Sequence, residues 1–231
     1  MFKNIPKPYP GRMVVIGKDG NFYVGLYAVT ARSAASRAKR YVLEEESVVV
    51  QATDEEIMAQ GDLDLLSYTA MRLTEGAIII GNGRQTDIVS LFGEDAKETL
   101  ATELQHIEFE PDKYRTPRVT GCIQNNGGVT GALHVAREKE GALSRDTFGL
   151  QMVENEGLGI CTYSGPNVRP TFPYRGDPFR VDLNFGNAKF AAESLYKSLE
   201  PQDGEEDLRV SVVVVYWNRQ GRDVFIVNAV D

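Results

Sequence analysis

The sequence predicts an α+β protein built in layers, and three observations carry that prediction. Strand-like segments outnumber helical ones, helices do not alternate strictly with strands, and Val210 to Val215 is valine but for Ser211. A strand that is apolar on both sides must be covered on both faces, so its sheet is sandwiched rather than half wetted. No composition shift, repeat or linker interrupts the chain, so residues 1–231 read as one domain.

The elements follow in order. Met13 to Thr30 reads as two strands joined at Lys18-Asp19-Gly20-Asn21, where glycine supplies positive φ. In the second strand Val24, Leu26 and Ala28 alternate with Gly25, Tyr27 and Val29, and both sets suit burial. Residues 32–40 are small and polar, a loop or short helix, and Ser47 to Thr53 is a further strand. Asp62 is expected to cap a helix on which Leu63, Leu66, Ala70 and Leu73 recur at helical spacing. On that helix Tyr68 and Arg72 fall together on a neighbouring face. Ala77 to Ile80 makes a strand running into Gly81-Asn82-Gly83. A second helix spans Asp95 to Gln105, with Ala96, Leu100 and Leu104 as its stripe.

Glu110 to Arg118 is a loop with two prolines, and short strands with glycine-rich turns fill Val119 to Tyr163. Residues 164–178 form a loop, and a third helix runs from Asn187 to Leu199. Gln202 to Asp207 is an acidic turn, and the chain closes with a hairpin from Leu208 to Asn218 and Val224 to Val230.

Composition narrows the function. The chain has 231 residues, 42% hydrophobic and 25% charged, enough to bury a sizeable core. A net charge of -8 argues against nucleic acid as a partner, since its binders need a basic face. Any anion site must then be a local pocket in an acidic molecule. No apolar run approaches a membrane span, which points away from a membrane and to a cytoplasmic location. Cys122 and Cys161 are expected as reduced, buried thiols. His106 and His134 lack partner motifs and read as structural or exposed; no ligand spacing for a structural metal occurs. Phosphate-loop and nucleophile-elbow motifs are absent, and Gly157-Leu158-Gly159 lacks the rest of a dinucleotide fingerprint.

Several polar clusters remain. Pro8-Tyr9-Pro10-Gly11-Arg12 and Ala31-Arg32-Ser33-Ala34-Ala35-Ser36-Arg37 flank the first hairpin. Guanidinium forks and short hydroxyls at this density fit either a solvated basic loop or an anion site. Asn82-Gly83-Arg84-Gln85-Thr86-Asp87 follows a buried strand, where layered folds commonly bind ligands, although a capped turn has the same composition. Tyr114-Arg115-Thr116-Pro117-Arg118 precedes another strand.

In this order the clusters resemble a known family. Tyr9-Pro10-Gly11-Arg12 with Gly17, Arg32-Ser33, Ser36-Arg37, Tyr68 with Met71-Arg72, Asn82-Gly83 with Thr86-Asp87, Glu110-Pro111-Asp112 and Thr116-Pro117-Arg118 are similar to archaeal-type inosine monophosphate cyclohydrolases and their bacterial relatives. The likeness covers residues 8 to 125 by motif. It implies a four-layer αββα sandwich like that of N-terminal nucleophile hydrolases. The chain begins Met1-Phe2-Lys3-Asn4, so that scaffold is expected without its usual nucleophile.

The implied reaction closes the ring of 5-formamidoimidazole-4-carboxamide ribotide, with loss of water, to inosine monophosphate. It needs no cofactor or metal. The resemblance assigns Arg37, Tyr68 and Glu110 to catalysis. Arg12, Arg32 and Ser33 are expected to hold phosphate, and Arg72, Asn82, Gln85, Thr86, Asp87 and Arg118 to complete the nucleotide site. Relatives of this fold often assemble, so a homo-oligomer is a further expectation. The chain departs from the family pattern at Ala34-Ala35-Ser36-Arg37-Ala38-Lys39, which leaves open a nucleotide-binding sensor that does not catalyse.

Overall fold

The computed structural model describes Ile5, Tyr9 and residues 11–230. Pro8, Pro10 and Met1 to Asn4, which entered the motif reading, lie outside the described residues. The chain opens with β1 (Arg12–Asp19) and β2 (Phe22–Thr30), turns through α1 (Ala34–Arg37), and enters β3 (Lys39–Glu44) and β4 (Ser47–Ala52). Two single-turn helices, α2 (Glu55–Met58) and α3 (Leu63–Leu66), lead to β5 (Thr69–Thr74) and β6 (Ala77–Gly81). Next come α4 (Gln85–Ile88), α5 (Ala96–Glu103), β7 (Arg118–Asn125), β8 (Val129–Lys139) and β9 (Ala142–Leu150). β10 (Glu156–Cys161), β11 (Phe179–Asp182), α6 (Ala188–Ser198), β12 (Arg209–Asn218) and β13 (Gly221–Asn228) complete it.

The strands form two antiparallel sheets. One has the order β11-β10-β1-β2-β12-β13; the other runs β3 through β9 as a meander. The first draws its strands from both ends of the chain, so the meander is threaded between its halves. Alternation then sorts the side chains. Tyr27, Val29, Val213 and Val215 point between the sheets and meet Ile78, Ile80 and Leu133 of the meander. Val24, Leu26, Ala28, Val212 and Val214 point outward under α6, against Ala191, Ala192 and Leu195. On the far side α5 covers Ile79, Cys122 and Ala132 through Leu100 and Leu104. The layers therefore run helix, sheet, sheet, helix, and the doubly apolar strands predicted from sequence are the inner ones of the first sheet. Gly25 keeps the layers close: a Cβ there would stand 2.7 Å from Ile80 Cδ1.

Local chemistry starts the longer helices where the sequence places them. The Asp95 side chain accepts from Glu98 N at α5, and that of Asn187 from Phe190 N at α6. Both cysteines are buried free thiols. Among the described residues no helix is long and apolar enough to cross a membrane.

One predicted element is wrong. Asp62 does cap a helix, but α3 ends at Leu66 and residues 69–74 form β5. The apolar positions from Leu63 to Leu73 satisfy helical spacing, yet Leu73 pairs with Ile78 and Met71 with Ile80 across a Glu75-Gly76 turn. Hydrogen bonding to strands on both sides outweighs a helical pattern that only one short turn realises. Tyr68 and Arg72 are thereby separated. Tyr68 turns inward between the sheets, while Arg72 Nη1 donates outward to the carbonyls of Thr86 (3.1 Å) and Val89 (2.7 Å).

Candidate active site

The site forms where strand ends converge on one end of the sandwich. Gly11 begins it with φ +69, and a Cβ there would lie 2.3 Å from Thr162 Oγ1. This left-handed turn, which glycine alone adopts at low cost, delivers Arg12 to the first position of β1. Thr30 N donates to the Gly11 carbonyl at 2.7 Å and locks the end of β2 beside it. Lys39 starts β3, Tyr68 precedes β5, and Glu110 arrives on the loop before β7. Thr116 fastens that loop: its N–H donates to Asp112 Oδ1 at 2.8 Å and its hydroxyl to Asp112 Oδ2 at 2.6 Å. The same hydroxyl is hydrogen-bonded to Tyr163 Oη, and Tyr163 stacks on Tyr9 with ring centroids 5.6 Å apart.

Between these groups lies a cavity of about 340 Å³, the size of a small-molecule site. Arg12, Lys39 and Glu110 face it from within. Among the described residues the Arg12 guanidinium makes no hydrogen bond or ion pair and Lys39 Nζ has no hydrogen-bond partner, although Lys39 is 2% exposed. Two cations without direct partners among the described residues leave donors at the cavity wall.

Electrostatics sets the state of each group. Burial pushes the Glu110 carboxyl above the usual carboxylate range, and the opposing pull of Arg12 and Arg118 only partly restores it. Burial pushes Arg12 down, but Glu110 and the neighbouring tyrosines outweigh this, so it stays charged. Lys39 is pushed down to about 7 by burial and by Arg12, with Glu110 opposing. Three tyrosines underlie the cations: Tyr68 Oη is 2.8 Å from Tyr27 Oη and 2.9 Å from Tyr41 Oη. Burial raises Tyr27 and Tyr41 well above the ordinary phenol, so both remain protonated.

Of the residues singled out in the sequence, Arg12, Arg32, Ser33 and Glu110 reach the cavity wall, with Tyr68 directly beneath Lys39. Arg32 reaches across to the carbonyl of Val168 (2.6 Å) and to Thr171 Oγ1, with its guanidinium 5.0 Å from the Tyr9 ring centroid. It thus braces the 164–178 loop over the site. Ser33 caps α1, accepting from Ser36 N at 3.2 Å.

Arg37 is not brought to the cavity: it pairs with Glu206 of the acidic turn on the surface. The last turn of α1 simply points its side chain outward. Arg72, as described above, faces the outside of the meander. Asn82, Gln85 and Thr86 are buried behind Glu110 rather than beside the opening. Asn82 Nδ2 donates to Glu110 Oε1 at 2.9 Å and to the Pro117 carbonyl at 3.0 Å. Its Oδ1 accepts from Val119 N (2.8 Å) and Gln85 Nε2 (3.0 Å). Thr86 bonds the carbonyls of Thr69 and Gly83, and Arg118 Nη1 donates to Gln85 Oε1 at 3.2 Å. Asp87 is exposed. These hydrogen bonds brace the Glu110 carboxyl from behind.

Lys39 escaped the motif reading. Strand alternation holds the signal: Lys39 and Tyr41 share one face and Arg40, which donates to Gln51 Oε1, the other. The short strand was not apparent in sequence, so neither was the inward direction of its lysine.

The site defines a layered α+β protein with two cations and a buried carboxylate around one cavity, an arrangement suited to a small polar, anionic molecule. The comparisons narrow this. The chain belongs to the IMP cyclohydrolase-like protein family, whose model matches residues 9–221. It is 33% identical over 118 residues to the IMP cyclohydrolase of Haloarcula marismortui, an alignment covering 50% of this chain and 54% of that protein. The IMP cyclohydrolase of Natronomonas pharaonis is 26% identical over 174 residues, 74% of this chain and 81% of its own. That of Methanosphaera stadtmanae is 27% identical over 204 residues, 81% of this chain and 85% of its own.

Proposed function

We propose that this protein is an IMP cyclohydrolase, closing the formamide of 5-formamidoimidazole-4-carboxamide ribotide onto its carboxamide with release of water. The observation that carries the reading is that, in a chain of this family, the Arg12 guanidinium, without a hydrogen bond among the described residues, and the buried Glu110 carboxyl line one cavity. Both reacting groups belong to one substrate, so the protein's first task is to hold the rotamer that brings nitrogen and carbon together. Glu110, held by Asn82, is suited to accept a hydrogen bond from the carboxamide NH2 and fix its direction. Arg12 is suited to donate to the formyl oxygen, where negative charge grows as the C–N bond forms.

The reading moves the guanidinium role from Arg37 to Arg12. Tyr68 acts as a positioning residue through its hydroxyl bonds to Tyr27 and Tyr41 and its ring beneath Lys39. The phosphate is assigned to the mouth, where Ser33, Lys113 and Arg169 line the cavity and charge-assisted bonds contribute about 1.5–3 kcal/mol each. The helix–sheet–sheet–helix layering supports a likeness to N-terminal nucleophile hydrolases, and the interleaved sheets support one domain over residues 1–231.

The test is conversion of the formyl ribotide, followed by ultraviolet absorbance with no metal added. Acceleration well above spontaneous closure is expected. Thermal stabilisation by inosine monophosphate without turnover would refute catalysis and leave a binding protein.

A further inference from the structure

Lys39 has a location that structural lysines do not choose. It is 2% exposed, it faces the cavity, and its amine has no hydrogen-bond partner among the described residues. Its Nζ lies 5.5 Å from the Tyr68 ring centroid and 5.9 Å from that of Tyr41. Ring faces stabilise an ammonium modestly without fixing its proton. Glu110 is near enough to be felt but forms no ion pair with Lys39 among the described residues. A methionine would fill this space with no buried, unpartnered polar atom, so the amine is retained at a stability cost. A group kept at such a cost beside the reacting centre calls for a chemical role.

We propose that Lys39 is a further catalytic residue, the proton carrier of ring closure. The inference rests on the function proposed above. The neutral amine takes a proton from the carboxamide nitrogen as that nitrogen bonds to the formyl carbon. The resulting ammonium gives that proton to the formyl oxygen, which becomes the hydroxyl of the tetrahedral intermediate. The amine then takes the proton of the former formamide N–H as the C=N bond forms and passes it to the hydroxyl as the C–O bond breaks. Water leaves, the amine is regenerated, and no other reactant is consumed. Glu110 cannot easily do both tasks, because one of its oxygens is engaged by Asn82 and its carboxyl is held in direction by that bond.

The surroundings suit an amine that changes charge. Arg12 of β1 opposes its protonation and Glu110 favours it. The hydroxyls of Tyr27, Tyr41 and Tyr68, from β2, β3 and the lead into β5, bond one another. Asp62, Asp112 and Lys113 also line the cavity. Burial and Arg12 together bring the amine's midpoint to about 7, where both forms are populated in use.

The experiment compares wild type with Lys39→Met across a range of about two pH units on either side of neutrality. Wild-type kcat/KM is expected to rise through about pH 7, following loss of the ammonium proton. Lys39→Met is expected to lose that limb and about 100-fold or more in kcat, the usual scale for general acid–base catalysis. Its thermal midpoint should equal or exceed the wild type's. In parallel, wild-type protein is treated with fluorodinitrobenzene near neutral pH and mapped by mass spectrometry. Lys39 should label ahead of the surface lysines, and inosine monophosphate should shield it. A Met variant with wild-type rate and pH profile, or a Lys39 that does not label, overturns the assignment. A wild-type protein that does not close the ring overturns the proposed function itself.

Discussion

Replacing Asn82 by aspartate removes the donor that serves Glu110 and the Pro117 carbonyl and should convert a brace into a pH-dependent fault. The new carboxyl keeps the acceptor that serves Val119 N and Gln85 Nε2, but its second oxygen faces Glu110 Oε1 at the 2.9 Å now spanned by a hydrogen bond. Two full charges at that separation repel by about 6 kcal/mol at an effective dielectric of about 20. Retaining one proton on the pair instead, near pH 7.5, costs about 5 kcal/mol for a carboxyl that ordinarily titrates near 4. The cheaper route wins, so the folded variant holds a proton that its unfolded chain releases. Its folded midpoint is raised, so the cost grows as pH rises: about 1.4 kcal/mol per unit above the unfolded value, and little remains near pH 4–5.

For a chain of this length about 5 kcal/mol corresponds to a fall of about 10–20 °C in thermal midpoint. Scanning fluorimetry of both proteins from pH 5 to about 7.5 checks this slope. A gap that stays constant with pH, or no gap near pH 7.5, would refute the reasoning, because it would mean that Asn82 and Glu110 do not share a buried contact.

Three further outcomes are expected. Arg12→Ala should lower kcat/KM by about 10²–10³, the loss found when one donor to a developing oxyanion is removed, while Arg37→Ala should stay within a few fold; equal losses would return the role to Arg37. Tyr68→Phe removes the hydroxyl that joins Tyr41 and Tyr27, so urea denaturation should show a loss of about 1–3 kcal/mol alongside lower turnover, and an unchanged midpoint would contradict the shared bond. Gly11→Ala forces a side chain into positive φ and against Thr162, so a destabilisation of more than about 1 kcal/mol with weakened substrate binding is expected, measured by melting and by KM.

Much of the scaffold was legible in the sequence. Where a strand is buried on both faces, as at Val24–Val29 and Val210–Val215, composition reports it, because apolar side chains are favoured on either side, with Ser211 the one exception in the second stretch. Asp95 and Asn187 likewise announce α5 and α6 through local hydrogen bonds that need no distant partner. The stretch around Tyr68 was not legible: apolar residues at Leu63, Leu66, Ala70 and Leu73 fit a helix and a strand alike, and only pairing with β4 and β6 decides between them.

The site divides in the same way. The sequence by itself determined which chemistry was available: the arginines about the first hairpin, the Asn82 and Glu110 clusters, and the series that marks the family. Only the tertiary structure decided which of these groups meet. Stacking two sheets brings Arg12 of one to Glu110 and Lys39 beside the other, across separations that no local rule spans. It also turns Arg37 out to Glu206 and sets Asn82, Gln85 and Thr86 behind the carboxylate as its support. Residue type is a property of position in the chain, but direction and burial belong to the packed layers. Burial in those layers, with Arg12 nearby, is what pulls the Lys39 amine down to about 7.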